Sequence, residues 1–158
     1  MGWRPFTLIA LALPLAFAPR AGAHCQIPCG IFDDETRFSA MKEHVTTIEK
    51  SMKQITELSA ATPPNYNQIV RWVNNKDEHA DKLSTIITAY FMAQRVKPVD
   101  EAQTEEFKAY QAKVTLLHRI LVTSMKCKQS LDLEQVDKLE KLVHEFETAY
   151  MGPAAHKH

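Results

Sequence analysis

Apolar residues recur every three or four positions along most of the chain, with polar residues between them. Over residues 34–59 the steps between apolar residues alternate between three and four, which is typical of an amphipathic helix. The same spacing predicts helices over about residues 65–96, 101–126 and 132–150. No stretch alternates residue by residue, so no strand is predicted. The residues predicted to face the core are Phe38, Met41, Val45, Ile48, Met52 and Ile55, then Ile69, Val73, Ala80, Leu83, Ile87 and Tyr90, then Phe107, Tyr110, Val114, Leu117 and Leu121, and finally Val136, Leu139, Val143 and Phe146.

Local signals mark where these helices begin and end. Asp33 or Asp34 is a suitable N-cap for the first helix, and Pro98 limits the second helix. Gly152, followed by a proline, ends the fourth helix. Four helices with short connections predict an all-α fold, an antiparallel four-helix bundle over residues 34–151 with a tail at residues 152–158.

The first 23 residues have the pattern of a signal peptide. Arg4 is followed by an apolar run over residues 6–18 and then by Ala21-Gly22-Ala23, a small-x-small cleavage site. The run is shorter than the roughly 17–25 residues of a membrane-spanning helix, although an N-terminal anchor is the alternative. We therefore expect cleavage before His24 and export to a periplasm, the exterior or an organelle lumen, with no membrane attachment afterwards.

Composition limits the remaining chain to one domain and a few functions. Removing 23 of the 158 residues leaves 135, enough for one core. The 19 basic and 19 acidic residues balance, and the signal segment removes only Arg4 and Arg20 from the basic set. No basic patch indicates nucleic-acid binding. Three cysteines cannot form a fully paired disulfide framework.

The predicted helices themselves show no metal motif. Each carries one histidine, namely His44, His79, His118 or His144. A di-iron carboxylate bundle needs Glu-x-x-His on two helices, and none of these histidines has a glutamate three residues earlier. We expect them at surface or boundary positions. Cys127 stands alone near the end of the third helix and is expected to be a half-buried, inert thiol.

The candidate metal ligands are His24, Cys25 and Cys29, at the predicted mature N-terminus. Cleavage would give His24 a free α-amine, with an ordinary pKa of about 7.7–8.0. That amine, the Cys25 amide nitrogen and the Cys25 sulfur would close two five-membered chelate rings in one plane, and the Cys29 sulfur would fill the fourth corner. Two nitrogens and two sulfurs in a plane suit Ni(II) or Cu(II) rather than tetrahedral zinc.

Two other interpretations of these cysteines stay open at this point. Cys25 and Cys29 could form a disulfide or a dithiol redox pair, although three residues separate them and no βαβ pattern accompanies them. Their placement could also be a coincidence. In the metal-binding interpretation, the His24 imidazole remains free to serve as an axial ligand.

Residues 24–33, His-Cys-Gln-Ile-Pro-Cys-Gly-Ile-Phe-Asp, resemble the nickel hook of the nickel superoxide dismutase family, whose pattern is His-Cys-x-x-Pro-Cys-Gly-x-Tyr. We call residues 24–33 the hook. The resemblance implies a homohexameric four-helix-bundle enzyme that binds a nickel ion and converts superoxide to oxygen and hydrogen peroxide through a Ni(II)/Ni(III) cycle. It implies that His24 supplies its amine and, in the oxidised state, its imidazole. Cys25 would supply its amide nitrogen and sulfur, and Cys29 its sulfur.

One departure from the family pattern lies inside the hook. The family has a tyrosine where this chain has Phe32, so a hydroxyl near the open face of the metal is missing. Tyr90-Phe91 in the second helix also resembles a Tyr-Phe pair of the family. The alternative function is a non-enzymatic protein that binds or sequesters nickel or copper with the same hook.

Overall fold

The computed structural model describes residues 33–152, and it is helical over most of that range. Within residues 33–152 there is no strand, so the prediction of an all-α bundle is confirmed. None of the helices in this range is long and apolar enough to cross a membrane. The elements are α1 (Asp34–Ala60), α2 (Tyr66–Thr85) with a π-helical continuation (Ile86–Arg95), α3 (Thr104–Gln129) and α4 (Leu133–Met151).

Consecutive helices run in opposite directions. Asp34, at the start of α1, contacts Arg95 at the end of the π-helical segment and Tyr150 near the end of α4. Lys76, midway along α2, reaches the carbonyl of Cys127 in the last turns of α3. The start of α1 therefore meets the ends of the second and fourth helical segments, as an antiparallel bundle requires.

Side chains at the helix ends form hydrogen bonds that cap the helices. The Asp33 carboxylate accepts a hydrogen bond from the Thr36 amide at 2.6 Å, so Asp33 rather than Asp34 is the N-cap of α1. Asp132 caps α4 in the same way. Gly152 follows α4 with a φ of 78°, a backbone conformation that side chains rarely adopt. These caps supply part of the hydrogen bonding that helix termini lack.

The core follows the predicted stripes of α1 and α4. All six residues predicted to face the core in α1 are buried, as are all four in α4. At one end Phe38 packs against Phe91 and Phe146, with ring centroids 4.9 and 5.6 Å away. Fully burying a large apolar side chain contributes roughly 1.5–3 kcal/mol, so this aromatic cluster holds three helical segments together near the Asp34 end.

The prediction for α3 was wrong in detail. Of the five residues predicted to face the core there, only Leu117 is fully buried, whereas Ile120 and Cys127 were not predicted and are buried. The buried face of α3 also includes Ser124, whose hydroxyl donates to the Ala80 carbonyl at 3.1 Å. A prediction from apolar residues alone places such hydroxyl side chains on the exposed side. The predicted buried face of α3 is therefore rotated away from the observed one. In α2 the predicted Ile69 and Val73 are likewise only partly buried.

The π-helical segment, Ile86–Arg95, was not predicted either. Its hydrogen bonds span five residues, as in the 2.8 Å bond from the Val96 amide to the Phe91 carbonyl. In an α-helix, residues five apart lie about 140° apart around the axis. The wider π geometry brings such residues closer to one face, and Tyr90 and Arg95 are five residues apart. This local change determines which side chains reach the start of α1.

Candidate metal centre

The predicted ligands His24, Cys25 and Cys29 lie outside the described residues, as does Phe32. Asp33 is the first residue that the structure describes, four residues after Cys29. The hook ends at Asp33 and α1 begins at Asp34, so the hook directly precedes this end of the bundle in the sequence.

Four polar side chains converge at this end, and we call them the Asp34 cluster: Asp34, Tyr90, Arg95 and Tyr150. Arg95 donates from Nε to Oδ1 of Asp34 at 3.0 Å and from Nη2 to Oδ2 at 2.7 Å. The Tyr90 hydroxyl donates to Oδ1 at 2.7 Å, and the Tyr150 hydroxyl donates to Oδ2 at 3.1 Å. One carboxylate thus ties the start of α1 to the ends of the other two segments through charge-assisted hydrogen bonds.

These contacts change the acidity of every member of the cluster. Burial opposes ionisation of Asp34, but hydrogen bonds from Arg95, Tyr90 and Tyr150 outweigh it and lower the pKa of Asp34. Burial, followed by the bond to Asp34, raises the pKa of Tyr90 to about 12. Burial also raises the pKa of Tyr150, and the Asp34 carboxylate raises the pKa of Arg95. At neutral pH the cluster therefore holds one carboxylate, one guanidinium and two protonated phenols.

Positive charge surrounds the two tyrosine rings. The guanidinium carbons of Arg37 and Arg95 lie 5.4 and 5.9 Å from the centre of the Tyr90 ring. The Lys113 ammonium lies 5.7 Å from the centre of the Tyr150 ring. These distances are within the range of cation–π attraction. The same cations give this end of the bundle an attraction for small anions.

A surface cavity of about 250 Å³ lies beside the cluster. Arg95 and Tyr150 form part of its wall, together with Lys97, Lys113 and Glu106. Arg95 is paired with Asp34, which leaves Lys97 and Lys113 against Glu106, so the lining of this cavity is net positive by one charge. An anion that approaches the end of the bundle would therefore meet a favourable potential close to the point where the hook joins α1.

The bundle does not offer a metal site of the usual kind. Over residues 33–152 there is no group of three or more histidine, cysteine, aspartate or glutamate side chains that could hold a metal ion. Cys127 is fully buried, and burial raises the pKa of its thiol to about 11. The prediction of a half-buried thiol was therefore wrong, and the raised pKa disfavours the thiolate, which is the metal-binding form. The two other cysteines, Cys25 and Cys29, lie outside the described residues.

The helical histidines lie at surface or boundary positions, as predicted. His118 and His144 are exposed, and His44 and His79 are partly buried. The structure adds a relationship that the sequence did not indicate, because Nδ1 of His44 lies 3.1 Å from Nδ1 of His79.

The sequence analysis missed most of the Asp34 cluster. Tyr90 was predicted to face the core and was noted by resemblance, Asp34 was considered as a cap, and Arg95 and Tyr150 were not singled out. A usable signal existed, since in an antiparallel bundle the start of the first helix meets the ends of the second and fourth. On that basis Asp34, at the start of the first helix, could have been paired with Arg95 and Tyr150, at the ends of the second and fourth.

Taken together, the bundle defines a helical scaffold protein with its candidate metal ligands in a segment that precedes the first helix. A family model for nickel-containing superoxide dismutases matches residues 19–153. Comparisons with curated proteins and with solved structures found no match.

The chain belongs to the nickel-containing superoxide dismutase family. It is an enzyme, a superoxide dismutase of the nickel type, with nickel as its cofactor and superoxide as its substrate. This membership favours the enzyme over the alternative of a protein that only sequesters metal.

Proposed function

We propose that the nickel of this superoxide dismutase is held by His24, Cys25 and Cys29 after cleavage between Ala23 and His24. The observation that carries this proposal is the donor set itself, two thiolates and a free amine within six residues. It is supported by the described bundle, which over residues 33–152 provides no alternative group of three ligands. When bound there, nickel would supply one-electron redox chemistry by alternating between Ni(II) and Ni(III).

Cleavage would couple export to formation of the site. Ala21-Gly22-Ala23 is the cleavage signal, and it ends directly before the residue whose amine is needed. An extra residue before His24 would convert that amine into an amide and remove one donor of the planar set. We therefore propose that the enzyme works outside the compartment of synthesis, in a periplasm, the exterior or an organelle lumen.

The bundle would contribute by attracting and ordering the substrate. Superoxide is an anion, and Arg95, Lys97 and Lys113 line the cavity at the hook end of the bundle. Cations near a site increase the rate of encounter with an anion. The reaction consumes two superoxide anions and two protons and yields one oxygen and one hydrogen peroxide, so the site needs a supply of protons. Tyr90 and Tyr150 donate their hydroxyl hydrogens to Asp34 and have raised pKa values, so these two phenols are not that supply.

We further propose that the enzyme assembles as a homohexamer, as the family resemblance implies. The described surface supports assembly of some kind, because several large apolar side chains are exposed in a single chain. Those at the end of the bundle away from Asp34 are Tyr66, Val70, Met125, Leu131 and Leu133. Light scattering on the nickel-loaded protein measures the assembly directly.

The experiment that tests the site combines three measurements on protein purified after export. Intact mass and N-terminal sequencing should give a chain that begins at His24. Metal analysis should give about one nickel per chain, and the loaded protein should dismutate superoxide faster than the same concentration of free nickel. An additional N-terminal residue in fully active protein, or a fully loaded protein no faster than free nickel, would show that the proposed site is wrong.

A further inference from the structure

His44 on α1 and His79 on α2 face each other across the interface of these two helices. Their Nδ1 atoms are 3.1 Å apart, their ring centroids are 5.0 Å apart, and their ring planes cross at 80°. When both rings are neutral, one Nδ1–H donates to the lone pair of the other Nδ1. The pair therefore directs at least one imidazole lone pair into the gap between the helices.

The distance between the two nitrogens also matches that of two ligands on one metal ion. Zinc binds imidazole nitrogen at about 2.0–2.1 Å. Two nitrogens at that distance and 3.1 Å apart subtend an angle of about 100° at the ion. This lies between the angles of a square-planar and a tetrahedral arrangement, so the spacing of the two nitrogens fits one ion. Imidazole is a good ligand for zinc, copper and nickel.

The surroundings give an ion access to the pair. His44 forms part of the wall of an open cavity of about 650 Å³ between α1 and α2, which gives access to water and ions. Carboxylates outnumber cations among the charged residues lining this cavity, and Lys76 and Lys128 from outside the lining pair with Asp77 and Asp81. The charged residues of the lining are Asp77, Glu78 and Asp81 on the acidic side, and Arg37 and Lys82 on the basic side.

Burial lowers the pKa of His44, and the neighbouring His79 and Lys82 lower it further, while Glu43 opposes them. A neutral imidazole is the form that coordinates a metal.

We propose that His44 and His79 form a second metal site that binds one Zn(II), or a similar divalent transition-metal ion, between α1 and α2. Two imidazoles and water molecules would complete the coordination, which agrees with the lack of any group of three ligands among residues 33–152. This site is independent of the nickel proposal, because none of its ligands belongs to the hook. A bound ion would cross-link α1 to α2 and stabilise the bundle by mass action.

The test uses zinc with the full exported chain after the histidine and cysteine side chains outside the bundle have been replaced. Thermal unfolding followed by circular dichroism, with calorimetric titration, then reports on binding to the bundle. Superoxide dismutation is not part of this test, so failure of the nickel proposal would not affect it. The background substitutions are His24→Ala, Cys25→Ser, Cys29→Ser, His156→Ala and His158→Ala.

In this background, zinc at about a hundredfold excess over its dissociation constant should raise the unfolding midpoint by at least about 5 °C, with one ion bound per chain. His44→Ala and His79→Ala should each abolish the shift. His118→Ala, which removes an exposed histidine of α3, should retain it. Proton NMR of the background protein should show that the His44 and His79 ring resonances move when zinc is added.

Two outcomes would overturn the proposal. If zinc neither binds nor moves those resonances while both histidines are intact, the pair is only a hydrogen bond. If zinc binds but His44→Ala and His79→Ala retain the full shift, the ion lies elsewhere. If either alanine variant loses its helical signal, His44→Asn and His79→Asn are used instead. The NMR measurement needs no substitution in the bundle and decides independently whether the two histidines bind zinc.

Discussion

Arg95 holds both carboxylate oxygens of Asp34, although 61 residues separate the two in the sequence. A planar guanidinium matches a carboxylate in this two-point geometry, which gives direction as well as attraction. The contact fixes the first turn of α1 against the end of the π-helical segment. α1 begins at this turn, directly after the hook in the sequence.

Asp34→Asn should lower the free energy of unfolding by about 1–3 kcal/mol at pH 7, since hydrogen bonds to a charged group contribute about 1.5–3 kcal/mol and Arg95 is partly exposed. The pKa of Asp34 is lowered in the folded state, so its contribution is present above the ordinary value of 3.8. It is lost as the pH falls through the lowered value. Urea unfolding of both proteins from pH 7 to pH 3 measures this.

The control for this prediction is Asp137→Asn, which changes an exposed aspartate of α4. Its effect should be within about 0.5 kcal/mol, as for most surface substitutions. A difference between wild type and Asp34→Asn that stays constant as the pH approaches 3 would contradict the assigned role of the carboxylate.

Cys25→Ser and Cys29→Ser should each abolish nickel binding with little change in helical circular dichroism, because both residues precede the bundle. Cys127→Ser should retain the nickel, since its thiol is buried and has a pKa of about 11. Metal analysis and circular dichroism of the three variants check this. Loss of helicity in either hook variant would mean that these cysteines stabilise the fold instead.

His24→Ala should lower the dismutation rate more than it lowers nickel occupancy. The α-amine survives this substitution, whereas the imidazole that the resemblance assigns as the axial ligand is lost. We expect about a tenfold lower rate, which corresponds to about 1.4 kcal/mol in the barrier. Rates are compared per bound nickel. Equal rates for His24→Ala and wild type would exclude the axial role even if the planar ligands are right.

Phe32→Tyr should restore a hydroxyl close to the metal and tighten inhibition by azide. A hydrogen bond to an anion contributes about 1.5 kcal/mol, which corresponds to about a tenfold change in affinity. Azide inhibition of superoxide dismutation measures the effect, with nickel content matched between the proteins. Unchanged inhibition would show that position 32 does not contact the anion.

The sequence predicted the features that depend on neighbouring residues. The helix periods and the buried stripes of α1 and α4 are local patterns that the structure confirms, and of the two N-caps predicted for α1, Asp33 or Asp34, it shows Asp33. The donors of the hook are also adjacent in sequence, so their chemistry could be stated without a fold. Family membership, supported over residues 19–153, agrees with that chemistry.

Only the tertiary structure brought together residues that are distant in the chain. Tyr150 and Asp34 are 116 residues apart, and His44 and His79 are 35 apart. No period in the sequence specifies which helices face each other or how far each is rotated, and the π-helical turn that aligns Tyr90 with Arg95 has no simple sequence signal. The Asp34 cluster and the histidine pair exist because packing of the apolar stripes fixes the helices in register, and polar residues at the borders then meet.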